Sequence, residues 1–212
     1  MQQGLNSPRG EARRPAAIAI ICALGLYLAL PPQFTLLPWL LPALEVALLL
    51  PLMITRPYRN NRESLLVQSL SVFIIALMNI ANFISLALLA HFLVAGVKVN
   101  GKELLLDGVN IWLTNIIVFG LWFWELDRGG PAKNRSRSPD FLFPQMGLPN
   151  MFEKWTPSFI DYFYCSFTNA TAFSPTDTMP LSPKAKILML IQALTSFITV
   201  ALVVSRAVNI LS

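Results

Sequence analysis

Long apolar runs separated by short polar segments set the pattern of this chain, and six of them have the length or periodicity of helices. They cover residues 16–30, 38–55, 64–95, 106–126, 157–173 and 184–211. A bilayer core about 30 Å thick asks for roughly 20 apolar residues per crossing helix. The second, third, fourth and last runs meet that demand, and the first is short but extendable. The run at 157–173 is short for a span and rich in Tyr, Thr and Asn. A basic start followed by a short apolar stretch also describes a secretory signal. Here the stretch runs into Pro31-Pro32 and a second apolar segment, with no small-x-small cleavage pattern, so it reads as a first spanning helix.

Polar residues inside the runs fall at helical spacing. Gln68, Ser71, Asn79, Asn82 and Ser85 form one stripe of the third helix, and Asp107, Asn110, Thr114 and Glu125 share a face of the fourth. Gln192, Thr195, Ser196, Thr199 and Arg206 line the last. Steps of three and four residues place such groups on one helix face, and the simplest use of that face between membrane helices is an interhelical hydrogen-bond seam. A polar cavity is the sharper alternative. Glu45 and Arg206 are ionisable groups in apolar runs, each costing about 2.5–3.5 kcal/mol near a bilayer centre on insertion scales, so a partner is expected. Glu45 with Arg206, or Glu45 with Asn79 or Asn82, are the pairs the pattern offers. His91, near a helix end, reads as interfacial. Trp112, Trp122 and Trp124 read as an aromatic belt.

The segment 96–106 reads as a loop with a turn at Asn100-Gly101. The segment 128–157 is the longest without a helical pattern. It carries Lys133, Arg135 and Arg137 and is punctuated by Pro131, Pro139, Pro144 and Pro149. Phe141, Phe143, Met151 and Phe152 within it read as lying on the bilayer surface. Four parts follow: a basic N-terminus at 1–15, a four-helix bundle at 16–127, a basic Pro-rich loop at 128–156, and a helix hairpin at 157–212.

Composition sharpens the class. Of the 212 residues 55% are hydrophobic and 13% charged, against about 25% charged in a soluble domain. The net charge of +5 is modest, and its clusters beside apolar runs suit topology and anionic lipid head groups, not nucleic acid. Arg9, Arg13 and Arg14, then Arg56, Arg59 and Arg62, then the cluster at 128–137 fall on one side of the four-helix bundle, which by the positive-inside rule is cytoplasmic, with the N-terminus. Cys22 and Cys165 lie in apolar runs and read as packing residues. With one histidine, no H-E-x-x-H, no G-x-S-x-G and no P-loop, the sequence offers no metal site, no cofactor site and no catalytic residue.

The terminal unit carries the remaining chemistry. Pro157 suits a first helical position with Thr156 as its cap. The helix stops near Ser174-Pro175, and Ser182-Pro183 starts the last one. Thr168, Asn169, Thr171, Ser174, Thr176 and Asp177 crowd the break. Thr168-Asn-Ala-Thr171, followed by Asp177-Thr-Met-Pro180 and an apolar helix, resembles the pore module of potassium channels, which reads T-x-x-T-V-G-Y-G-D-x-x-P between an aromatic pore helix and an inner helix. The likeness covers roughly residues 158–211. The whole chain also resembles a group of uncharacterised bacterial multi-pass membrane proteins with a similar S-F-T…D-T signature, which implies a fold and no activity. One departure matters. Residues 172–176 contain no glycine, and Pro175 has its φ fixed near −65°, so the carbonyl ladder of a potassium filter, which needs left-handed backbone, cannot form there.

The expectation is therefore an all-α polytopic membrane bundle of five to six helices with a C-terminal pore-like hairpin, in a bacterial inner membrane. If a pore exists, it selects a monovalent cation by the side chains of Thr171, Ser174, Thr176 and Asp177 and needs a homo-oligomer, a tetramer by analogy. A non-transporting scaffold or partner-binding protein is the alternative, and a plain polar turn is the simpler account of the break. Residues 157–173 either cross, giving six helices and leaving Lys184 and Lys186 outside, or re-enter, giving five. The reading favours six.

Overall fold

The computed structural model describes residues 14–35, 65–95, 101–127, 138–148, 150–152, 155–172 and 177–211, with a few positions between 39 and 47. The expected helix at 38–55 with Glu45, the basic cluster at 128–137, and Ser174 and Thr176 lie outside the described residues. The elements in order are α1 (Arg14–Ala29), a 3-10 turn at Pro32–Phe34, α2 (Leu65–Val94), α3 (Gly101–Leu126), β1 (Phe141–Leu142), a 3-10 turn at Pro144–Gly147, α4 (Phe159–Ala172), β2 (Met179–Pro180) and α5 (Pro183–Leu211). The protein is mostly helical, and α2, α3 and α5 are long and apolar enough to cross a membrane.

Helix α3 is the centre of the bundle, with α1, α2, α4 and α5 all packed on it. It starts at Gly101, five residues earlier than the spacing of apolar positions suggests. Glu103 in its first turn offsets the positive end of the helix dipole, so the Asn100-Gly101 signal marks the helix start and not a loop. Direction follows from paired positions. Asn110 Nδ2 donates to Leu26 O at 2.8 Å, Leu89 lies 3.7 Å from where a Gly108 Cβ would stand, and Val203 sits so close that such a Cβ would collide with it. Trp112 Nε1 donates to Ser196 Oγ at 2.7 Å. Thus α1, α2 and α5 run antiparallel to α3, from what we call the Asp127 end toward the Asp107 end.

Two apolar cores follow. One, at the Asp127 end, gathers Ala16, Ala19, Ile74, Met78, Phe119, Phe123, Trp124 and Tyr162. The other, toward the Asp107 end, gathers Tyr27, Phe34, Leu86, Leu89 and Ile111.

The long segment after α3 folds back onto the bundle. Phe141 and Phe143 are buried, not laid on a bilayer surface as their position in a polar loop suggested. Their rings stand 6.1 Å and 5.1 Å from the Tyr162 ring. Met151 and Phe152 are exposed. Trp124, expected in an interfacial belt, is buried edge-on against Phe159 at 5.9 Å. A buried carboxylate organises this end: Asp127 accepts from the Tyr162 hydroxyl at 2.5 Å and from the Asp140 N–H at 2.7 Å. The next residues form β1, which pairs antiparallel with β2, Phe141 opposite Pro180, and Leu181 N–H closes the clasp on Asp140 O at 2.8 Å.

Helix α4 does not join the two ends of the bundle. It has 14 residues, about 21 Å at 1.5 Å per residue. Tyr162 fixes its start beside Asp127, and its last turns reach the level of Trp112, whose ring is 6.4 Å from Phe167. By Thr178, whose side chain stands beside that of Cys165, the chain is back toward the Asp127 end, where β2 leads into α5. Helices α4 and α5 therefore run parallel and start at the same end. The favoured reading of 157–173 as a sixth passage asks for a helix that joins the two ends of the bundle, and α4 covers only part of that length. The shared start also places Lys184 and Lys186, in the first turn of α5, at the Asp127 end, where Arg14 starts α1.

Gly120 permits the close approach of α4 to α3. A Cβ there would lie 3.3 Å from the Phe163 Cα, and a backbone cannot yield as a side chain does. Gly120→Val is expected to lower stability by about 1–3 kcal/mol, read as an earlier thermal melt by tryptophan fluorescence in detergent. Gly25→Ala, with nothing within 4 Å, should leave the melt unchanged or slightly later. Equal melting of the two variants would refute the tight α3–α4 contact.

Candidate functional site

The polar residues of the terminal unit meet in a buried seam where α3, α4 and α5 adjoin. Helix α4 starts with Ser158, not Thr156, as its cap: Asp161 Oδ2 accepts from both the Ser158 N–H and its hydroxyl at 2.7 Å. The carboxylate reaching back to the cap N–H is one half of a capping box, and the helix starts at Phe159, two residues past Pro157. The start matters because it fixes which residues face inward. From it, Ser166, Asn169 and Ala170 all point into the bundle and are buried.

Gln192 on α5 is the node of the seam and is fully buried. Its Nε2 donates to Ser166 Oγ at 2.6 Å and to Ser166 O at 3.0 Å. Its Oε1 accepts from Asn169 Nδ2 at 2.8 Å, and the same amide group donates to Met189 O at 3.0 Å. Ser166 passes the chain onward, its hydroxyl donating to Ile116 O on α3 at 2.6 Å. A second strand of bonds runs one turn away. Trp112 Nε1 donates to Ser196 Oγ, which donates to Ala170 O at 2.6 Å. Asn115 Nδ2 reaches Gln192 O at 3.5 Å, at the limit of a hydrogen bond. Every donor is an amide, hydroxyl or indole, so the seam carries no net charge.

The residues singled out in the sequence divide by this geometry. Asn169 and Gln192 are brought together at the node. Thr168 is buried and spends its hydroxyl on Tyr164 O and Cys165 O at 3.0 and 3.1 Å. Thr171 is exposed, with its hydroxyl on Phe167 O at 2.9 Å. Asp177 is exposed, accepting weakly from Thr178 Oγ1 at 3.4 Å. Asn79 and Asn82 lie on α2, away from the node. Asn79 Oδ1 and Asn82 Nδ2 have no hydrogen-bond partner among the described residues, and neither has Asn115 Oδ1. Counting two turns from the Leu89–Gly108 contact puts Asn82 level with Asn115 across the α2–α3 boundary. Arg206 is half-buried near the far end of α5.

Sequence reasoning missed three participants. Ser166 carried a signal, since it stands three residues before Asn169 and shares its face. Trp112 was assigned to a lipid-facing belt, whereas its indole N–H turns inward to Ser196. Asp127 follows the last turn of α3 and looked like a solvated helix end, and only the return of 138–143 and α4 buries it. Among the described residues no three His, Cys, Asp or Glu side chains converge as metal ligands would.

A seam with one node implies non-additive energetics. Gln192→Leu leaves Asn169 and Ser166 without their partner, and we expect it to destabilise the protein by about 1–3 kcal/mol. Asn169→Leu made in that background should add little, a coupling of about 0.6–1.7 kcal/mol by double-mutant cycle in detergent unfolding. Additive losses would show that the two amides act independently. Comparisons of the chain with protein-family models, with curated proteins and with solved structures found no match.

Proposed function

We propose that this is a multi-pass protein of a bacterial inner membrane whose α4 re-enters the bilayer from the cytoplasmic face, and that several copies together frame a path for a small cation. The observation that carries the reading is the parallel start of α4 and α5 at one end, with α4 stopping short of the other. Inside a bilayer, backbone that leaves helical hydrogen bonding is tolerated only where protein or water surrounds it. Thr171 and Ala172, the last residues of α4, are exposed on the single chain. A second copy or a water-filled path must then cover them, and the negative end of the α4 dipole at that depth favours a positive charge.

The channel-module resemblance fits this arrangement in element order: a long helix, a short buried helix, a return and a second long helix. Selection would fall to side chains, with Asp177 as a carboxylate near the mouth, because residues 172–176 lack the glycines of a carbonyl filter. The path lies between copies in this reading, since the seam of each chain is occupied by its own hydrogen bonds. Those same bonds favour the second reading, a scaffold without a path, in which α4 only stiffens the bundle and the basic segment 128–137 docks a partner.

Topology comes first. In a background where Cys22 and Cys165 are replaced, single cysteines at Thr156 and Lys184 should both react with a membrane-impermeant thiol reagent from the cytoplasmic side, and one at Ala95 only from the opposite side. Labelling of Thr156→Cys and Lys184→Cys from opposite sides would end the re-entrant reading. Native mass spectrometry and cation flux in reconstituted vesicles then separate the two functions. An oligomer with flux that Asp177→Asn reduces supports the path. A monomer without flux leaves the scaffold.

A further inference from the structure

The apolar spans of α3 and α5 meet one boundary at the Asp127 end: that of α3 stops at Leu126 and that of α5 begins at Pro183. The surface just beyond this boundary is rich in exposed apolar side chains. Leu148, Met151 and Phe152 follow the second 3-10 turn, and Met179 and Leu181 flank Pro180. Trp155 ties the first group to this end, with its N–H on Phe152 O at 3.0 Å and its ring 5.8 Å from Phe143. All five stand on non-helical backbone, which hydrocarbon does not tolerate uncovered. Headgroup depth answers both demands, because the backbone meets water there while the side chains reach the acyl layer.

Lys184 and Lys186 follow within one turn and are exposed as well. The first turn of α5 holds no acidic residue to answer them, and cations there oppose the positive end of the helix dipole. The stability of the helix therefore does not account for the pair. Its position does. Below the lysines, Ile187, Leu190 and Leu194 are each more than half exposed. Lys184 stands three residues before Ile187, and Lys186 four before Leu190, so both head that apolar stripe. A lysine in such a place lays its methylenes on the apolar face and lifts its ammonium into the headgroup layer.

We propose that the start of α5 binds one anionic phospholipid, with an acyl chain along Ile187, Leu190 and Leu194 and the phosphate on Lys184 and Lys186. Met179 and Leu181, next in the chain, lie at the depth of the glycerol backbone. Charge decides the class of headgroup. A zwitterionic lipid carries its own ammonium and leaves the lysines unbalanced, whereas an anionic lipid balances them, and each basic residue at a membrane surface adds to the attraction for anionic lipid. One lipid molecule covers the stripe and neutralises its head together. The site lies within one chain and depends neither on α4 nor on a path between copies.

The test is native mass spectrometry of the detergent-purified full chain, titrated with phosphatidylglycerol or with phosphatidylcholine of the same acyl chains. The wild type should bind the anionic lipid at least about tenfold more tightly. Lys184→Gln combined with Lys186→Gln should bring the two affinities to within about threefold of each other. Lys184→Arg combined with Lys186→Arg should keep the preference, since a phosphate accepts from either cation. Lys102→Gln, which removes an exposed lysine at the opposite end of α3, should change nothing. Equal binding of the two lipids by the wild type would overturn the site. So would a preference that survives the glutamine pair, or one that Lys102→Gln abolishes, since either assigns the attraction to charge elsewhere on the chain. An oligomer that binds no lipid would give the stripe to a second copy and equally overturn it. If the glutamine pair fails to fold, the single variants decide, each expected to lower the preference by about fivefold.

Discussion

A short helix rich in polar side chains can be buried in a bundle only if those side chains are answered by protein, and the carboxamide of Gln192 meets most of that demand here. From one position on α5 it accepts from Asn169 and donates to the side chain and backbone of Ser166, and Ser166 hands the chain to α3. Neutral hydrogen bonds between membrane helices contribute about 0.6–2 kcal/mol apiece. Their number and shared node matter more than any single value. Because no member is ionised, the seam avoids the desolvation penalty that a buried ion pair would carry. It specifies where α4 sits and how it is rotated, tasks that apolar packing alone performs loosely among lipid tails.

The other anchor of α4 is of a different kind. At its start the Asp127 carboxylate gathers the Tyr162 hydroxyl and the Asp140 N–H, and the aromatic rings of Phe141, Phe143 and Tyr162 close over that end. Charged acceptors make stronger hydrogen bonds than neutral ones, about 1.5–3 kcal/mol. The short helix is thus held by a charge-assisted clasp at its mouth and by neutral bonds along its length. Gly120 lets the two helices come near enough for both sets to form.

Much of this architecture was legible in the sequence because the apolar runs are long and their polar residues recur at helical steps. The stripes through Asn82 and Ser85, and through Gln192, Thr195, Ser196 and Thr199, are buried as their spacing implied. Three features escaped. Helix α3 begins five residues early, because the turn signal at Asn100-Gly101 and a helix start use the same residue types. Phe141 and Phe143 were misplaced because nothing local tells an aromatic residue that its chain will fold back over a core. The course of α4 depends on Asp127, Cys165 and Thr178, which are far apart in sequence, and a count of apolar residues is blind to such pairings. Within the candidate site, Asn169 was found by the polar break it stands beside and Gln192 by the helical spacing of its stripe. Ser166 and Trp112 were not, since serine passes unnoticed in helices and an indole is read by its ring before its N–H.

The parallel course of α4 and α5 bears on how the protein is made. Ser166 finds its α3 partner in a residue synthesised 50 positions earlier, whereas Gln192 lies 26 positions later. A nascent α4 therefore finds the α3 side of its seat already made, while the Gln192 that answers Asn169 and Ser166 from the other side does not yet exist. Only when α5 has been inserted are both sides of its slot present. The short helix is thus the element whose seat is complete latest relative to its own synthesis, with one wall made before it and the other after.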